Sequence, residues 1–226
     1  MKLSFKYFLH DFLRVTGAIP GVIFYRPKIL YENENAKKRI KGGALVVANH
    51  VGVLDPLHLM FGIWYRRHHF VAMKELFESS KFNGFLFRHA FLCIPIDREK
   101  FSLKTFKEIV GHLRSGDLVT MFPEGRVNDE DSGFGDFKSG MILMALKGNV
   151  PIVPVYSARK TRFFERLKFV IGEPIDLNAL KSALGCDGKN FDEMTEYIRE
   201  KEKSLEEIYL KKYKPKGKKD VNAEKR

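Results

Sequence analysis

The sequence predicts a single α/β domain with a mixed central sheet flanked by helices. From residue 43 onward, short β-branched apolar runs alternate with amphipathic stretches of helical period, which is the pattern of strands and helices in one layered domain. The length of 226 residues suits one domain better than two. We place this domain at residues 26–213, after an N-terminal helical segment (residues 1–25) and before a basic tail (residues 214–226) that we expect to be disordered.

The N-terminal segment has the pattern of a helix that lies on a membrane surface. On a helical wheel Phe5, Phe8, Leu9 and Phe12 share one face, and Lys2, Lys6, His10 and Arg14 lie elsewhere. Gly17, Pro20 and Gly21 are expected to break this helix, and the apolar piece that follows, residues 18–25, is too short to cross a bilayer. The alternative is a helix that packs on its own domain.

Local patterns place the remaining elements in order. Apolar, branched runs predict strands at residues 44–48, 70–73, 94–96, 118–122, 150–156 and 167–171. Helical spacing predicts helices at residues 55–65, about 14 residues from Ser102, 137–147 and 191–213. Asp55 has the residue type of an N-cap, Pro56 suits the first helical position, and Gly116 closes the helix that begins near Ser102. Residues 66–69, two arginines and two histidines, are interpreted as a polar loop.

Composition restricts the class of partner. The net charge of +12 and the pI near 9.6 imply an anionic partner, which is nucleic acid, a membrane surface or an acidic carrier protein. The cations are dispersed and no nucleic-acid-binding motif is present, so we expect no nucleic acid partner. Cys93 and Cys186 lie far apart without ligands at metal spacing, which argues against a disulfide framework or a zinc site and favours a reducing compartment. No apolar run is long enough for a spanning helix or a signal peptide.

His50 and Asp55 have the residue types of a general base and the carboxylate that orients it. A neutral imidazole can take a proton from an alcohol near neutral pH, and a carboxylate on the other ring nitrogen fixes the tautomer and stabilises the imidazolium. On a continuous helix the two side chains would point about 140° apart, so they can meet only across a turn, which Gly52 permits. The alternative is that Asp55 is only a helix cap and His50 a polar loop residue.

Charged residues also follow two of the later predicted strands. Asp97 and Arg98 come after one strand, and the turn that holds Glu124 and Gly125 ends another; ligands of open α/β sheets gather at such strand ends. Arg98 and Arg126 have side chains suited to phosphate. Glu124 would orient an arginine or accept a substrate hydroxyl, and Gly125 would let the backbone approach a ligand. In isolation, each of these residues also fits an ordinary surface turn or ion pair.

Taken in order, these segments resemble the conserved blocks of the glycerolipid acyltransferase family, specifically the bacterial 1-acylglycerol-3-phosphate acyltransferases. The matching blocks are Asn49, His50 and Asp55, then Ile96-Asp97-Arg98, then Phe122-Pro-Glu-Gly125, then residues 150–154, with further similarity at Lys74-Glu75-Leu76 and Phe137-Lys138-Ser-Gly140. The resemblance covers residues 44–156. Three positions depart from the usual pattern: Gly52 stands where serine is common, Leu92 where glycine often precedes the second block, and Arg126 where threonine usually follows Gly125.

The resemblance implies an enzyme of phospholipid biosynthesis. It would transfer a fatty acyl group from a thioester of coenzyme A or acyl carrier protein to the sn-2 hydroxyl of lysophosphatidate, giving phosphatidic acid. It implies His50 and Asp55 as catalytic residues and the following as substrate-binding residues: Asn49, Asp97, Arg98, Glu124, Gly125, Arg126 and Lys138. This chemistry requires neither a cofactor nor a metal.

The expected location is the cytoplasmic face of the membrane, as a peripheral or monotopic protein, with an anionic membrane surface, a lysophospholipid acceptor and the acyl donor as partners. Two alternatives remain open from the sequence. One is an acyltransferase for another lysophospholipid or lipid acceptor, and the other is an acyl-thioester hydrolase that uses the same pair of residues on water.

Overall fold

A seven-stranded sheet forms the centre of the protein in the computed structural model, which describes residues 7–52, 54–97, 102–125, 127, 134–158, 166–185 and 191–213. Its strands are β1 (Lys28–Tyr31), β2 (Ala44–Ala48), β3 (His68–Met73), β4 (Ile94–Ile96), β5 (Leu118–Met121), β6 (Ile152–Ser157) and β7 (Lys168–Ile171). They are arranged in the order β1-β7-β6-β2-β5-β3-β4.

Eight α-helices and a π-helical turn are connected to the sheet in the part of the chain that the structure describes. They are α1 (Phe8–Tyr25), α2 (Asp55–Gly62), α3 (Lys74–Glu78), α4 (Lys81–Phe85), the π-helical turn (Leu86–Ala90), α5 (Leu103–Arg114), α6 (Gly140–Gly148), α7 (Leu177–Leu184) and α8 (Asp192–Tyr213). The predicted start at Ser102 is confirmed, because its hydroxyl accepts a hydrogen bond from the Thr105 N–H and so caps α5.

Five strands run in one direction, and this brings their carboxyl ends to one edge of the sheet. β2 pairs in parallel with β5 and β6, and β3 pairs in parallel with β4 and β5. β7 runs antiparallel to β6 and carries β1 in parallel beside it. The sheet is therefore mixed, as the sequence predicts, and the segments that follow β2, β5 and β6 lie next to one another.

The central strand β2 is buried on both faces. Leu45 and Val47 pack into a cluster with α5 and α6, whereas Ala44, Val46 and Ala48 pack into a second cluster with α2. A strand with two covered faces needs a continuous apolar run, and this explains why residues 44–48 lack alternating polarity. Residues 49 and 50, at the end of β2, are thereby attached to a strand that is buried on both faces.

The predicted break in the N-terminal helix is wrong, because α1 continues through Gly17, Pro20 and Gly21. Contacts at His10 and at Gly21 hold the helix against the rest of the protein. The His10 imidazole donates from Nδ1 to the Ala90 carbonyl at 2.7 Å, and Gly21 lies so close to α2 that an added Cβ would be 2.4 Å from the Phe61 ring. No helix among the described residues combines the length and hydropathy that a bilayer crossing requires.

The predicted polar loop at residues 66–69 is confirmed for Arg66 and Arg67, which lie in the connection between α2 and β3, and is wrong for His68 and His69. Arg66 donates to the carbonyl oxygens of three separate segments, those of Ile40, Gly42 and Gly116. Arg67 forms an ion pair with Asp11 of α1, and His68 and His69 begin β3 as buried residues. Four arginine and histidine side chains thus act as internal ties, because their hydrogen-bonding groups find fixed carbonyl and carboxylate partners.

Short elements account for the other differences from the predictions. β1, α3, α4 and α7, each of which has eight residues or fewer, were not predicted from the sequence. Leu92, which was noted as a departure from the resembled pattern, adopts a left-handed backbone conformation with φ 51°. This conformation costs an L-residue about 1–2 kcal/mol, a cost that glycine would not incur. Burial of the Leu92 side chain offsets that cost.

Candidate active site

The site is centred on a contact between His50, which follows β2, and Asp55, the first residue of α2. The Nδ1 atom of His50 lies 2.8 Å from Oδ2 of Asp55. Because a carboxylate only accepts, Nδ1 carries the proton and donates it, which leaves a lone pair on Nε2. The His50 side chain is 18% exposed, so this pair lies at the surface of a largely buried site.

A tight turn brings the two residues together, as predicted. Oδ2 of Asp55 also accepts hydrogen bonds from the N–H groups of Val51 and Gly52, at 2.7 and 2.8 Å. The prediction that Asp55 caps α2 is wrong: Leu54 occupies the cap position, and the Asp55 carboxylate faces the turn before it rather than the first helical turn. One oxygen therefore organises both the backbone of the turn and the imidazole.

Phe122 provides the surface on which the imidazole lies. The two rings are stacked with centroids 4.2 Å apart and planes inclined by 18°. Phe122 follows β5, the strand beside β2, so the pairing of these strands sets the stack. Phe122 stands in the Phe-Pro-Glu-Gly block, but its residue type indicates no role there; only the strand order reveals which residue it contacts.

Glu124 connects the histidine turn to a neighbouring segment. Its Oε1 accepts from the His50 N–H at 3.4 Å and its Oε2 accepts from the Gly135 N–H at 3.1 Å. The residue is buried. Both oxygens thus contact backbone, and the predicted role of Glu124 in binding substrate stays a prediction beside this observed role as a brace.

Asn49 fixes the end of β2 to the end of β6. Its amide nitrogen donates to the Ser157 carbonyl at 3.0 Å, and its amide oxygen accepts from the Ser157 N–H at 2.7 Å. This paired contact is buried and directly precedes His50. The substrate contact predicted for Asn49 likewise stays a prediction, since the amide already serves to place the turn.

Gly125 and Lys138 lie together next to Glu124. Gly125 has φ 68°, and an added Cβ would be 3.8 Å from Cε of Lys138. The Lys138 N–H donates to the Pro123 carbonyl at 3.3 Å, and its side chain is exposed. A cationic group and a glycine turn are therefore adjacent at the edge of the site, an arrangement suited to an anion.

The remaining predicted residues are farther away or not described. Asp97 follows β4, at the border of the sheet, with β3 and β5 between β4 and β2. Its charge acts on Lys74, whose pKa is raised first by a hydrogen bond to Glu78 and further by the Asp97 carboxylate. Arg98 and Arg126 lie outside the described residues, so their predicted phosphate contacts stay predictions.

Two other features lie at the opposite, amino edge of the parallel strands. The ligand atoms of His69, His112 and Asp117 lie within 4.8 Å of one another. The two imidazole rings are stacked with centroids 3.8 Å apart, and Nδ1 of His112 and Nε2 of His69 lie 2.9 and 3.5 Å from Oδ2 of Asp117. An open cleft of about 560 Å³, lined by Lys41 and Arg114 among others, lies at this edge too. Neither feature adjoins His50.

Fold and site together describe an α/β domain with an oriented imidazole beyond the carboxyl ends of the parallel strands, an arrangement that is able to activate a hydroxyl group. The chain belongs to the acyltransferase family: the model of that family, described as Acyltransferase, matches residues 28–158. The match begins at β1, includes the histidine turn and the Glu124 brace, and ends just after β6.

Particular relatives are similar over different lengths. The chain is 31% identical to the 1-acyl-sn-glycerol-3-phosphate acyltransferase of Bacillus subtilis (strain 168) over 186 residues, which are 78% of this chain and 87% of that protein. It is 32% identical to the enzyme of the same name from Streptococcus pneumoniae over 145 residues, 61% of this chain and 52% of that protein. The chain thus spans about half of the streptococcal relative.

A solved structure shares the fold. The crystal structure of the 1-acyl-sn-glycerophosphate (LPA) acyltransferase PlsC from Thermotoga maritima superposes with a TM-score of 0.59 at 21% identity, covering 92% of this chain and 80% of that one. At this level of identity the similarity concerns the fold.

Proposed function

We propose that this enzyme is a 1-acyl-sn-glycerol-3-phosphate O-acyltransferase that uses His50 as its general base. The observation that carries the proposal is the 2.8 Å contact between His50 Nδ1 and Asp55 Oδ2, because it leaves Nε2 as an acceptor for a hydroxyl proton. The relatives named above bear the name of this activity, and they support lysophosphatidate as the acceptor.

The proposed reaction proceeds by direct attack. Nε2 of His50 takes the proton of the sn-2 hydroxyl while the oxygen bonds to the thioester carbonyl carbon. The carbon–sulfur bond then breaks, and the imidazolium returns the proton to the leaving thiolate. Asp55 stabilises the transient imidazolium, and the Phe122 ring and the Asp55 contact keep the imidazole in one orientation.

The acceptor phosphate is proposed to lie near the glycine turn. In this region the Lys138 side chain lies next to Gly125. Arg98 and Arg126 are the arginines predicted to contact the phosphate. Replacing either arginine by alanine is expected to raise KM for the acceptor more than it lowers kcat, since a phosphate contact acts on binding. An unchanged acceptor dependence would remove that arginine from the phosphate site.

The function is tested by crossing acyl-coenzyme A and acyl carrier protein donors with a panel of lysophospholipids. We expect phosphatidate from lysophosphatidate, and loss of turnover in His50→Ala with the fold retained by circular dichroism. Another preferred acceptor would revise the head group. Free fatty acid formed equally with and without acceptor would indicate a hydrolase, and full activity of His50→Ala would exclude this base.

We also propose that α1 binds the membrane through its outer face. Its polar side chains point inward: His10 and Arg14 are buried, and Arg14 donates to the Trp64 carbonyl at 2.9 Å. Its apolar side chains point outward, with Phe8 60%, Ile19 66% and Ile23 64% exposed. A surface helix normally has the reverse arrangement, and a large exposed apolar patch indicates a binding surface.

An anionic bilayer is the partner that best fits this face. The patch continues along the whole helix through Phe12, Leu13, Val15, Val22 and Phe24. The domain carries a net positive charge, so electrostatic attraction to anionic lipids adds to the burial of the apolar face. Such docking would also bring the site to the surface in which its lipid acceptor resides.

Vesicle sedimentation tests this proposal. Ile19→Glu combined with Ile23→Glu is expected to reduce binding to anionic phospholipid vesicles at least about tenfold, because two charges enter the apolar face. The matched control is Leu184→Glu, which places a charge at an exposed apolar residue of α7. Equal binding by both variants would show that α1 is not the docking face.

A further inference from the structure

Three side chains that can bind a metal ion meet at the amino edge of the parallel strands, away from His50. His69 belongs to β3, His112 lies in the last turn of α5, and Asp117 directly precedes β5. Their ligand atoms all lie within 4.8 Å of one another. Two imidazoles and a carboxylate are a donor set that binds Zn²⁺ through three protein ligands and leaves one position for water. The proposed acyl transfer uses none of these three residues.

Strand pairing and the end of α5 fix these residues with respect to one another. His69 is opposite Val119 in the parallel pair of β3 and β5, two residues beyond Asp117. The Asp117 N–H donates to the His112 carbonyl at 3.0 Å, so the turn after α5 places the carboxylate beside the imidazole. The side chains of His69, His112 and Asp117 are 4%, 19% and 30% exposed. The cluster is therefore largely buried but accessible to an ion from solvent.

The distances from the carboxylate to the two rings agree with a shared ion. Oδ2 of Asp117 lies 2.9 Å from Nδ1 of His112 and 3.5 Å from Nε2 of His69. Ligand atoms around one tetrahedral Zn²⁺ at the usual bond lengths are about 3.3 Å apart. The two distances lie on either side of this value, so the carboxylate already has the spacing of a ligand towards both nitrogens.

The two imidazoles would move apart when an ion binds. Their centroids are 3.8 Å apart and their planes are inclined by 29°, whereas two rings bound to one tetrahedral ion have centroids about 5 Å apart. His112 is the more exposed ring and can move towards solvent. Its Nδ1 proton makes the contact with Oδ2; the ion takes the place of this proton, and the neutral ring then carries its proton on Nε2.

The arginines near the cluster are engaged with other groups. Arg66 donates to three backbone carbonyl groups, and Arg67 forms an ion pair with Asp11 of α1. The Asp117 carboxylate therefore faces the two imidazoles rather than a competing ion pair with either arginine. Because the charge of Arg66 still acts on Asp117, we expect moderate affinity for a cation.

We propose that His69, His112 and Asp117 form a zinc-binding site that joins β3, the end of α5 and the start of β5. Two nitrogen ligands favour Zn²⁺ over Mg²⁺ and Ca²⁺, which bind through oxygen. A bound ion connects three elements of the fold, so its role is to stabilise the folded state. The site lies at the edge of the sheet opposite His50 and is independent of the proposed function.

The test titrates the untagged protein with Zn²⁺ alone, by calorimetry near neutral pH, and compares wild type with His112→Asn and Asp117→Asn. Asparagine is a poor zinc ligand but can keep the hydrogen bond between these positions, so both variants are expected to fold. They should bind Zn²⁺ at least about tenfold more weakly than wild type. His89→Asn changes an exposed histidine elsewhere and should bind like wild type. Zn²⁺ should raise the Tm of wild type and of His89→Asn but not that of the two ligand variants.

Co²⁺ distinguishes a formed site from binding to scattered surface groups. Four-coordinate Co²⁺ absorbs visible light more strongly than six-coordinate Co²⁺, so wild type should show these bands and lose them when Zn²⁺ is added. Zn²⁺ affinity should also fall below about pH 6.5, because a protonated imidazole cannot bind the ion. Absence of stoichiometric binding by wild type, or equal binding by wild type and both ligand variants, overturns the proposal. Since no substrate is present, failure of the proposed acyl transfer would leave this result unchanged.

Discussion

His50 is held by three contacts, one from α2 and two from the turn after β5. Asp55 from α2 holds Nδ1, Phe122 after β5 covers one ring face, and Glu124 holds the backbone N–H. A side chain held in this way has one orientation, so Nε2 is presented without the entropy loss of ordering a mobile ring. The proposed base is therefore organised before substrate binds.

Asp55→Asn is predicted to lower kcat by about 10²–10⁴-fold, because a neutral amide lacks the negative charge that stabilises the imidazolium formed during proton transfer. An amide oxygen can still accept from Nδ1–H and from the Val51 and Gly52 N–H groups, although more weakly than a carboxylate, so we expect a loss of about 1 kcal/mol in the free energy of unfolding as well. Steady-state kinetics and urea denaturation measure the two effects.

Asp176→Asn is the matched control for this substitution. Asp176 caps α7 by accepting from the Asn178 and Ala179 N–H groups, and an asparagine oxygen can do the same. Activity and stability of this variant should stay close to wild type. If Asp55→Asn retained wild-type kcat, the negative charge of Asp55 would not contribute to the reaction.

At the scale of elements, the start of β2 is packed more closely than its residue types suggest. A Cβ on Gly43 would lie 2.0 Å from the backbone carbonyl oxygen of Leu113, at the end of α5. This contact sets how α5 docks on the sheet, and hence the positions of β2 and β5 beside each other. Only a small residue at position 43 allows this packing. The candidate active site at the carboxyl end of β2 therefore depends on it.

Gly43→Ala is predicted to lower the free energy of unfolding by about 3 kcal/mol or more, since the obstacle is backbone that cannot rotate away. Gly111→Ala provides the contrast: it lies within α5 with nothing inside 4 Å of the added methyl, so it should raise stability by roughly 0.5–1 kcal/mol through helix propensity. Chemical denaturation of both variants gives the comparison. Equal effects of both would refute the packing argument.

At the scale of the whole molecule, buried imidazoles make the fold sensitive to acid. His68 on β3 is fully buried, and its Nε2 faces the Ile63 carbonyl at 3.3 Å while its Nδ1 is 2.9 Å from the Thr120 hydroxyl. A carbonyl only accepts, so Nε2 carries the proton and Nδ1 accepts from Thr120. Desolvation lowers the pKa of His68 from 6.5 to about 4, which keeps the ring neutral in the folded state.

This lowered pKa predicts that the free energy of unfolding decreases as the pH is lowered. The unfolded chain binds the proton more readily, so the contribution is fully present above about pH 6.5 and is lost as the pH falls towards the folded pKa of about 4. The full contribution of His68 to the free energy of unfolding is about 3 kcal/mol. Urea denaturation across this range should show a steeper loss for wild type than for His68→Gln. The exposed His89→Gln variant should follow wild type, and a parallel loss in all three would rule out His68 as the source.

The features that could be predicted from the sequence are those that depend on local residue patterns and on the order of the matched blocks along the chain. The strand at Ala44–Ala48, the strand at Ile94–Ile96 and the turn between His50 and Asp55 followed from short-range polarity and residue type. These features need no knowledge of distant contacts, because each arises from neighbours within a few residues.

The errors arose where distant contacts outweigh local propensity. The continuity of α1 through Pro20 depends on its packing against α2 and the π-helical turn, and the burial of His68 depends on Thr120 in a neighbouring strand. Both partners are about 40 or more residues away, so no window of sequence contains the interaction.

The sequence by itself determined the fold class and the chemical groups of the site, because apolar periodicity and the types of the acid and base are local properties. Only the tertiary structure decided which face of α1 is outward, that Phe122 covers the imidazole, and that Glu124 holds the backbone of His50. These relations depend on strand order and helix docking, which join residues that the chain keeps far apart.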